Sequence, residues 1–310
     1  MHKALEQYIA ELLPLFSRAG IHCDDQREIL YGAQIRLSKD KYQTVLNVYH
    51  SAKKGVSSVV GGTHSPLKNL VQALIDGNEA EVPAGLAFHN WTSWIGADEC
   101  GKGDYFGAPA VCAFAYDESL EAEFKRMGIT DSKKLRDPEI NAMAKQLYSR
   151  HPERIACIVL KPPKYNELIA NFKRQTLNLN DVLAWLHSTN ILNLQQIQPS
   201  AQGILVDQFS TSQKVRRALS EKKCPIPCVE RTGAEADLAV AAASIIARYQ
   251  FLQTFMAMRQ FYQMDFPLGA THVIPTAIAF SNKYGFNRLG EVAKLHFKTT
   301  LQVQEKLAKI

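Results

Sequence analysis

Hydrophobic and polar residues alternate with two different periods along the chain, and the changes of period mark its elements. Near the N-terminus, KYQTVLNVYHS and VSSVVGG flank the turn KKG, which predicts a β-hairpin with Lys53 and Lys54 at its turn. Ser65 is then a candidate N-cap, with Pro66 at the first helical position. The apolar residues that follow have helical spacing: Leu67, Leu70, Val71, Leu74 and Ile75. Residues 1–80 are therefore predicted to form a small α+β domain.

A second domain is predicted over 91–310, after a linker at 81–90 within the irregular stretch 77–89. It opens with the short strand WIGADE, the glycine turn CGKGDYF and the long apolar strand GAPAVCAFAYD. Further on we expect helices near 119–127 and 138–149, the strand RIACIVL, helices within 165–198, the strands QGILVDQF and PIPCVE, an alanine-rich helix from about Glu235 to Tyr262, and two closing helices. Strands that then alternate with helices indicate an α/β domain with a mixed sheet.

Composition places the chain among folded globular proteins, since 46% of its 310 residues are hydrophobic and 21% are charged. No apolar run approaches the ~18 residues of a membrane-spanning helix, so no membrane association is expected. Glu6 and Glu11 interrupt the apolar N-terminus, and no small-residue cleavage site follows, so we expect no secretion signal. The protein is therefore expected in the cytoplasm, with its six cysteines as free thiols.

Positive charge is unevenly distributed along the chain. The net charge is +6, whereas residues 1–85 contain nine basic and nine acidic residues. Two windows, 149–180 and 213–231, each contain six basic and two acidic residues. Such windows are typical of solvated helix faces and equally of surfaces that contact phosphates.

The densest candidate chemistry is the segment IGADECGKGD at 95–104. Gly96 to Lys102 fits the first part of a phosphate-binding loop, but Gly103 replaces the required Ser or Thr and two acids would repel phosphates. Asp98 and Glu99 themselves are the better candidates. In a strand they point to opposite faces, and at the strand's end the second can turn back towards the first. Adjacent carboxylates suit a hard cation such as Mg²⁺ or Mn²⁺, although a plain acidic pair beside a turn has the same pattern.

Two further acids occur in similar places. Asp207 ends the apolar strand of QGILVDQF, and the carboxyl ends of strands are where α/β sites form. Glu235 begins the alanine-rich helix, with Thr232 as a candidate cap. Both also have ordinary structural interpretations, as a strand-ending Asp and as an acid at a helix N-terminus. The alanines of this helix predict a very close approach to another element.

Other catalytic patterns are weak or missing. Cys224 and Cys228 have no second pair of thiols, which argues against a zinc site. Neither a metalloprotease H-E-x-x-H nor a hydrolase G-x-S-x-G occurs. His296 is expected to be a core or capping histidine, with lining of the site as the alternative.

Four segments occur in order: IGADECGKGD, TDSKKL at 130–135, VDQF at 206–209 and AEADLAVAAASIIAR at 234–248. Together they resemble ribonuclease HIII, a bacterial branch of the type 2 ribonuclease H family, over about 92–300. KLHF at 294–297 fits the same family's C-terminal end. The extra N-terminal domain also matches this branch, in which it resembles the TATA-binding-protein fold and helps to hold the substrate.

The resemblance implies a ribonuclease H-like mixed sheet flanked by helices, and hydrolysis of the RNA strand of RNA/DNA hybrids with two Mg²⁺ or Mn²⁺ ions. The family's four catalytic, metal-binding acids fall by motif on Asp98, Glu99, Asp207 and Glu235. Type HII enzymes use Asp at the fourth place, and Asp237 is a rival for Glu235. Substrate contacts implied by the motifs fall on Gly101, Lys102, Gly103, Ser132 and Lys133. Cys100 departs from the family, which usually has a small residue there.

Two alternatives remain open. A type HII-like enzyme would cut at single ribonucleotides embedded in duplex DNA, and a non-catalytic nucleic-acid-binding module would use the same basic windows. The second alternative gives no reason for carboxylates at four separate strand ends and helix starts. We expect no obligate protein partner and a monomer.

Overall fold

The structure, a computed structural model, describes residues 2–19, 21–39, 42–51, 55–63, 65–76, 89–210 and 212–309. Its contacts divide the chain into two compact units, Met1–Ala87 and Phe88–Ile310. The predicted linker falls largely on 77–88, which lies outside the described residues, as does the predicted hairpin turn at 52–54. Among the described residues, no helix is both long and apolar enough to cross a membrane.

The N-terminal unit is a four-stranded antiparallel sheet with two helices, which confirms the predicted α+β class. Its elements are α1 (Lys3–Arg18), β1 (His22–Ile29), β2 (Gly32–Lys39), β3 (Tyr42–Ser51), β4 (Gly55–Gly61) and α2 (Pro66–Ile75), and the strands lie in the order β1-β2-β3-β4. The predicted hairpin is confirmed as β3 and β4. Ser65 caps α2, because its hydroxyl accepts a hydrogen bond from the Lys68 N–H at 3.2 Å.

The second unit is built on a five-stranded mixed sheet. Its strands are β5 (Ser93–Cys100), β6 (Ala110–Asp117), β7 (Ile155–Val159), β8 (Gly203–Asp207) and β9 (Cys228–Arg231), in the order β7-β6-β5-β8-β9. The pairs β5–β6 and β6–β7 are antiparallel, whereas β5–β8 and β8–β9 are parallel. The carboxyl ends of β5, β8 and β9 therefore share one edge of the sheet.

Helices cover both faces of this sheet. They are α3 (Glu121–Met127), α4 (Asp137–Arg150), α5 (Pro162–Arg174), α6 (Leu179–Ile197), α7 (Lys214–Glu221), α8 (Leu238–Tyr262), α9 (Ile274–Tyr284) and α10 (Lys298–Leu307). One core joins α3, α4 and α8 to the sheet face that includes Trp94, whereas α6 and α7 pack on the face that includes Ile95. This arrangement confirms the predicted mixed sheet flanked by helices.

The alanine-rich helix α8 packs directly on β5, as its composition predicts. A Cβ atom added to Gly96 would lie 2.3 Å from the backbone of Ala239 and Val240, so only glycine fits at this crossing. The small side chains of α8 let the two backbones meet, and this contact fixes the start of α8 against the sheet.

The structure corrects the start of one predicted helix and adds a helix that was not predicted. The long helix begins at Leu238 rather than at Glu235, and its cap is Asp237 rather than Thr232. The short helix α7 is absent from the sequence-based prediction, because only Val215 and Leu219 of its eight residues are buried.

Cys112 and Cys157 are joined by a disulfide, so the expectation of six free thiols is wrong for this pair. The reason is the strand register, which places Cys112 of β6 directly opposite Cys157 of β7 with Cα atoms 4.2 Å apart. The remaining cysteines are free: Cys23, Cys100, Cys224 and Cys228.

Candidate active site

Asp98 and Glu99 lie at the carboxyl end of β5, on opposite faces of the sheet as strand alternation requires. Asp98 faces α8, where Ser244 interacts with its carboxyl. Glu99 faces α6, where His187 Nε2 lies 3.0 Å from Glu99 Oε2. Both carboxyls are nearly inaccessible, since Asp98 is 6% exposed and the Glu99 side chain 3%. They nevertheless remain electrostatic neighbours, because the charge of Glu99 acts on Asp98.

Asp207 lies beside this pair, because β8 runs parallel to β5 with Val206 opposite Ala97. Its Oδ1 accepts a hydrogen bond from the Ala234 N–H at 3.2 Å, which ties β8 to the segment that precedes α8. Burial and the charge of Glu235 raise the pKa of Asp207 to about 7. The expected placement of Asp207 at the sheet edge next to Asp98 and Glu99 is therefore seen.

Glu235 lies in a single 3-10 turn, Ala234–Ala236, between β9 and α8. Its Oε1 is 3.2 Å from the Lys133 ammonium group. Its Oε2 is buried and has no hydrogen-bond partner among the described residues. The structure thus brings Glu235 to the same edge as Asp207, although it belongs to a tight turn instead of the helix.

Asp237, the rival for the fourth acid, has a structural role. Its Oδ1 accepts hydrogen bonds from the N–H groups of Ala239 at 2.9 Å and Val240 at 3.1 Å, as an N-cap does. The same oxygen accepts from the indole Nε1 of Trp94 at 3.0 Å. These contacts occupy the carboxyl at the start of α8 and favour Glu235 as the fourth member of the site.

Neighbouring carboxyls of this cluster repel one another, and burial strengthens the effect at Asp98 and Asp207. Burial and the charges of Glu99 and Asp207 hold the pKa of Asp98 well above its ordinary value. Burial also acts to raise the pKa of Glu99, but hydrogen bonds from His187 and Lys102 bring it below its ordinary value. Such a cluster must be neutralised either by protons or by cations.

The donor set fits divalent cations. Carboxylate oxygens are the ligands that Mg²⁺ and Mn²⁺ prefer, and the unpartnered Oε2 of Glu235 is one such donor. In the described part of the chain, no group of three or more His, Cys, Asp or Glu side chains is arranged so that it could hold a metal ion as it stands. Instead the ammonium groups of Lys102, 2.6 Å from Glu99, and Lys133 supply the positive charge that metal ions would supply.

The glycine turn that follows β5 contains two different kinds of glycine. Gly101 has φ +88°, and a Cβ there would lie 2.5 Å from the Phe251 ring, so Gly101 is required by the fold. Gly103 is exposed, and a Cβ there would meet nothing within 4 Å. Of the two, only Gly103 leaves room that another molecule can use.

Ser132 and Lys133 form a 3-10 turn at the other side of the site. The hydroxyls of Ser132 and Ser244 share a hydrogen bond of 2.6 Å, which fixes this turn on α8. The side chain of Lys133 remains 67% exposed although it reaches Glu235. Both residues therefore lie at the carboxylate cluster.

Two histidines show what the sequence does and does not reveal about this site. The sequence does not single out His187, since a lone histidine in the apolar stripe of α6 gives no signal for a partner 88 positions away. His296 packs against the rings of Tyr165 and Phe297, and burial lowers its pKa to about 4, so the structure supports the core interpretation.

Cys100, which departs from the family, is a half-buried thiol beside Arg248. Burial raises its pKa to about 11, so it stays protonated at neutral pH and is a poor nucleophile or metal ligand. The departure leaves the carboxylate cluster unchanged.

The mixed sheet flanked by helices is the fold of the type 2 ribonuclease H class, and acids lie at the ends of β5 and β8 and in the turn before α8. The profile of the family described as ribonuclease HII matches residues 95–300. Ribonuclease HIII of Protochlamydia amoebophila is 36% identical over 219 residues, which cover 70% of each chain. Ribonuclease HIII of Chlamydia trachomatis serovar D is 40% identical over 216 residues, which cover 68% of this chain and 69% of that protein.

The solved structures agree. The crystal structure of Bst-RNase HIII in complex with Mn²⁺ is similar with a TM-score of 0.62 and 25% identity, over 97% of both chains. The chain therefore belongs to the ribonuclease HII family and, within it, to ribonuclease HIII. It is accordingly a nuclease of the ribonuclease H type.

Proposed function

We propose that this protein is an endonuclease that hydrolyses the RNA strand of RNA/DNA hybrids by a two-metal-ion mechanism. The observation that carries the proposal is the cluster of Asp98, Glu99, Asp207 and Glu235 at one edge of the sheet. Four carboxylates offset the charge of two divalent ions, which a merely structural role would not need. The solved complex of the similar Bst-RNase HIII with Mn²⁺ supports the same conclusion.

Mg²⁺ or Mn²⁺ would be held by these four residues. When bound, such ions lower the pKa of the attacking water and stabilise the charge that develops on the leaving oxygen. The protein's part is to hold the carboxylates rigidly. Asp98 is fixed by the Glu99 N–H at 2.7 Å, and Asp207 by the Ala234 N–H. Lys102 and Lys133, which pair with Glu99 and Glu235, would be free to contact phosphate groups if bound ions neutralised those carboxylates.

Selection of the RNA strand is assigned to the turn 101–103. Only RNA presents 2′-hydroxyls, and an exposed backbone at Gly103 can approach and hydrogen-bond them without reading sequence. Several basic side chains of the windows 149–180 and 213–231 are exposed and can bind the backbone phosphates: Lys161, Lys173, Arg174, Arg216, Arg217 and Lys223.

The N-terminal unit is proposed to bind the hybrid rather than to cleave it, because none of the four acids belongs to it. We further propose that the protein acts in the cytoplasm as a monomer with no obligate partner. These assignments rest on the family and on the sequence.

The test is cleavage of a labelled RNA/DNA hybrid with Mg²⁺ or Mn²⁺, compared with single-stranded RNA, duplex RNA and duplex DNA. We expect the hybrid to be cut in a metal-dependent manner, with little cutting of duplex RNA and none of duplex DNA. A duplex DNA with one embedded ribonucleotide distinguishes type HII-like activity. Tight hybrid binding without metal-dependent cleavage would instead support the non-catalytic alternative.

A further inference from the structure

His187 lies completely buried in the middle of α6, on the sheet face opposite α8. Its Nε2 is 3.0 Å from Glu99 Oε2, a hydrogen bond that joins α6 to the carboxylate cluster. An ionised carboxylate only accepts hydrogen bonds, so Nε2 must be the donor. A buried residue therefore fixes the position of one oxygen of Glu99.

The two oxygens of Glu99 have donors of different kinds. Oε1 receives the Lys102 ammonium at 2.6 Å, but the side chain of Lys102 is 45% exposed. Oε2 receives His187, whose side chain is fully buried. Lysine is flexible and strongly hydrated, so it gives Glu99 charge compensation and little orientation. Orientation of the carboxylate comes from the histidine.

The imidazole is itself held on several sides. Its ring stacks on Phe209, with centroids 5.4 Å apart and an interplanar angle of 18°. On β9, the strand next to β8, Glu230 is near enough to interact electrostatically with the imidazole. The carboxyl of Glu230 is fixed in turn, because its Oε1 accepts the Arg216 N–H at 2.8 Å. His187 consequently has little freedom to turn away from Glu99.

We propose that His187 is a positioning residue of the reaction, which holds Glu99 in the orientation that binds the metal ion and so sets metal affinity and turnover. The proposal rests on the proposed function, in which Glu99 is a metal ligand. Hydrogen bonds that orient ligating carboxylates are typically worth roughly 10–100-fold in metal affinity or activity. Neither the sequence motifs nor the four acids account for a buried, donor-bearing ring at this position.

The experiment compares His187→Gln with His187→Leu in the full-length protein. Glutamine keeps an N–H donor at a similar reach, whereas leucine keeps the apolar volume and removes the donor. His151→Leu is the matched control, because His151 also faces a carboxyl, Glu123 at 3.3 Å, but outside the site. Mn²⁺ affinity is measured by calorimetry without substrate, and kcat and KM are measured on the hybrid.

We expect His187→Leu to lose roughly 10–100-fold in Mn²⁺ affinity and in kcat, with KM for the hybrid nearly unchanged. His187→Gln should recover most of both, and His151→Leu should match the wild type. The proposal is overturned if a folded His187→Leu binds Mn²⁺ as tightly as the wild type. It is also overturned if both His187 variants lose affinity only in proportion to a common fall in Tm.

The same measurements distinguish failure of the positioning role from failure of the proposed function. If the wild-type protein binds Mn²⁺ in a His187-dependent manner but does not cut the hybrid, the proposed reaction fails and only the role of His187 in metal affinity stands. If the wild type cuts the hybrid and His187→Leu does so equally well with unchanged Mn²⁺ affinity, only the positioning role fails.

Discussion

At the scale of single residues, the clustered acids that the proposed activity needs also lower the stability of the metal-free protein. Asp98 is buried and Asp207 half-buried beside other carboxyls, and the raised pKa of each indicates that its ionisation is costly. Without metal ions, repulsion between the carboxylates lowers the free energy of unfolding, as is common in active sites. Neutralising one acid should therefore stabilise the metal-free fold while it removes a ligand.

The first prediction concerns Asp207→Asn, which keeps the shape and can still accept the Ala234 N–H through Oδ1. We expect cleavage of the hybrid to fall at least ~10³-fold, because a charged ligand is lost. We expect Tm in a metal-free buffer to rise, because repulsion with Glu235 is removed. Near-normal cleavage in Mg²⁺ would show that Asp207 is not a ligand.

The matched control is Asp237→Asn, since asparagine caps helices as well as aspartate does. We expect nearly unchanged cleavage, whereas Asp237→Ala should lose about 0.5–2 kcal/mol of stability with the cap. Glu235→Gln should instead resemble Asp207→Asn. The reverse ranking of the two positions would move the fourth ligand to Asp237.

A second prediction separates Gly101 from Gly103. Gly101→Ala should lower Tm, because its backbone is left-handed and its new Cβ would strike Phe251. Gly103→Ala and Gly103→Val should leave Tm unchanged, since nothing of the described protein lies within 4 Å. If Gly103 admits the RNA backbone, cleavage should fall more for valine than for alanine. Equal, full activity in both Gly103 variants would assign strand choice to duplex shape.

Sequence patterns located the four acids but not the residues that hold them in place. Asp98, Glu99 and Asp207 follow apolar strands, and the ends of neighbouring parallel strands meet at one edge. His187 was missed because its contact with Glu99 depends on how α6 lies on the sheet, a tertiary fact that a lone histidine does not encode. Asp237 was ambiguous for the same reason, since only its cap geometry shows its role.

At the level of elements, the turn between β5 and β6 is held from the C-terminal end of the chain. Lys294 is fully buried, and its ammonium donates to the carbonyl of Asp104, with the carbonyl of Phe106 at 3.5 Å. The Asp104 side chain accepts the Gly269 N–H at 2.6 Å. The KLHF segment therefore contacts the end of the glycine turn, although the two segments are far apart in the sequence.

Lys294 gives the third prediction. Burial lowers its pKa to about 7, whereas an unfolded lysine titrates near 10.4. Between these values the unfolded chain binds more protons than the folded one, so the free energy of unfolding should rise as pH increases from about 7 towards 10. Denaturant titrations across this range measure the slope. Lys294→Met should flatten it, and an identical slope in both proteins would show that Lys294 does not titrate as described.

Element positions were predicted better than element ends. The apolar runs of β6 and β8 are buried on both sides, so their hydrophobicity identified them. The start of α8 was placed three residues early because alanine and glutamate favour a helix, whereas the extended backbone of Asp237 ends the preceding turn. Helix α7 offers few apolar positions, so its pattern was too weak to predict.

In the whole molecule, each unit has its own hydrophobic core. That of the N-terminal unit is formed by α1, β2, β3 and α2, and the cores of the second unit lie entirely within 91–307. The sequence indicated two domains from the irregular stretch 77–89 between two sets of predicted elements. The separate cores give a physical reason to expect the second unit to fold without the first.

The last prediction follows from that independence and from the proposed role of the N-terminal unit. Deletion of residues 1–85 removes no net charge and none of the four acids, so kcat at saturating hybrid should change little. KM should rise about tenfold or more if the unit contributes contacts worth ~1.4 kcal/mol or more. Steady-state cleavage, with Tm and circular dichroism as checks on folding, measures both.

The salt dependence of binding then tells how the deleted unit acts. The slope of log K against log salt falls by roughly 0.9 for each duplex phosphate that the protein no longer neutralises. Lys53 and Lys54 lie together in the sequence between β3 and β4, so we expect the slope of the truncated protein to be smaller by about one or two units. A raised KM with an unchanged slope would instead indicate uncharged interactions, such as stacking or hydrogen bonds to sugars. An unchanged KM would contradict a substrate-binding role, because an intact second unit would then hold the hybrid without help.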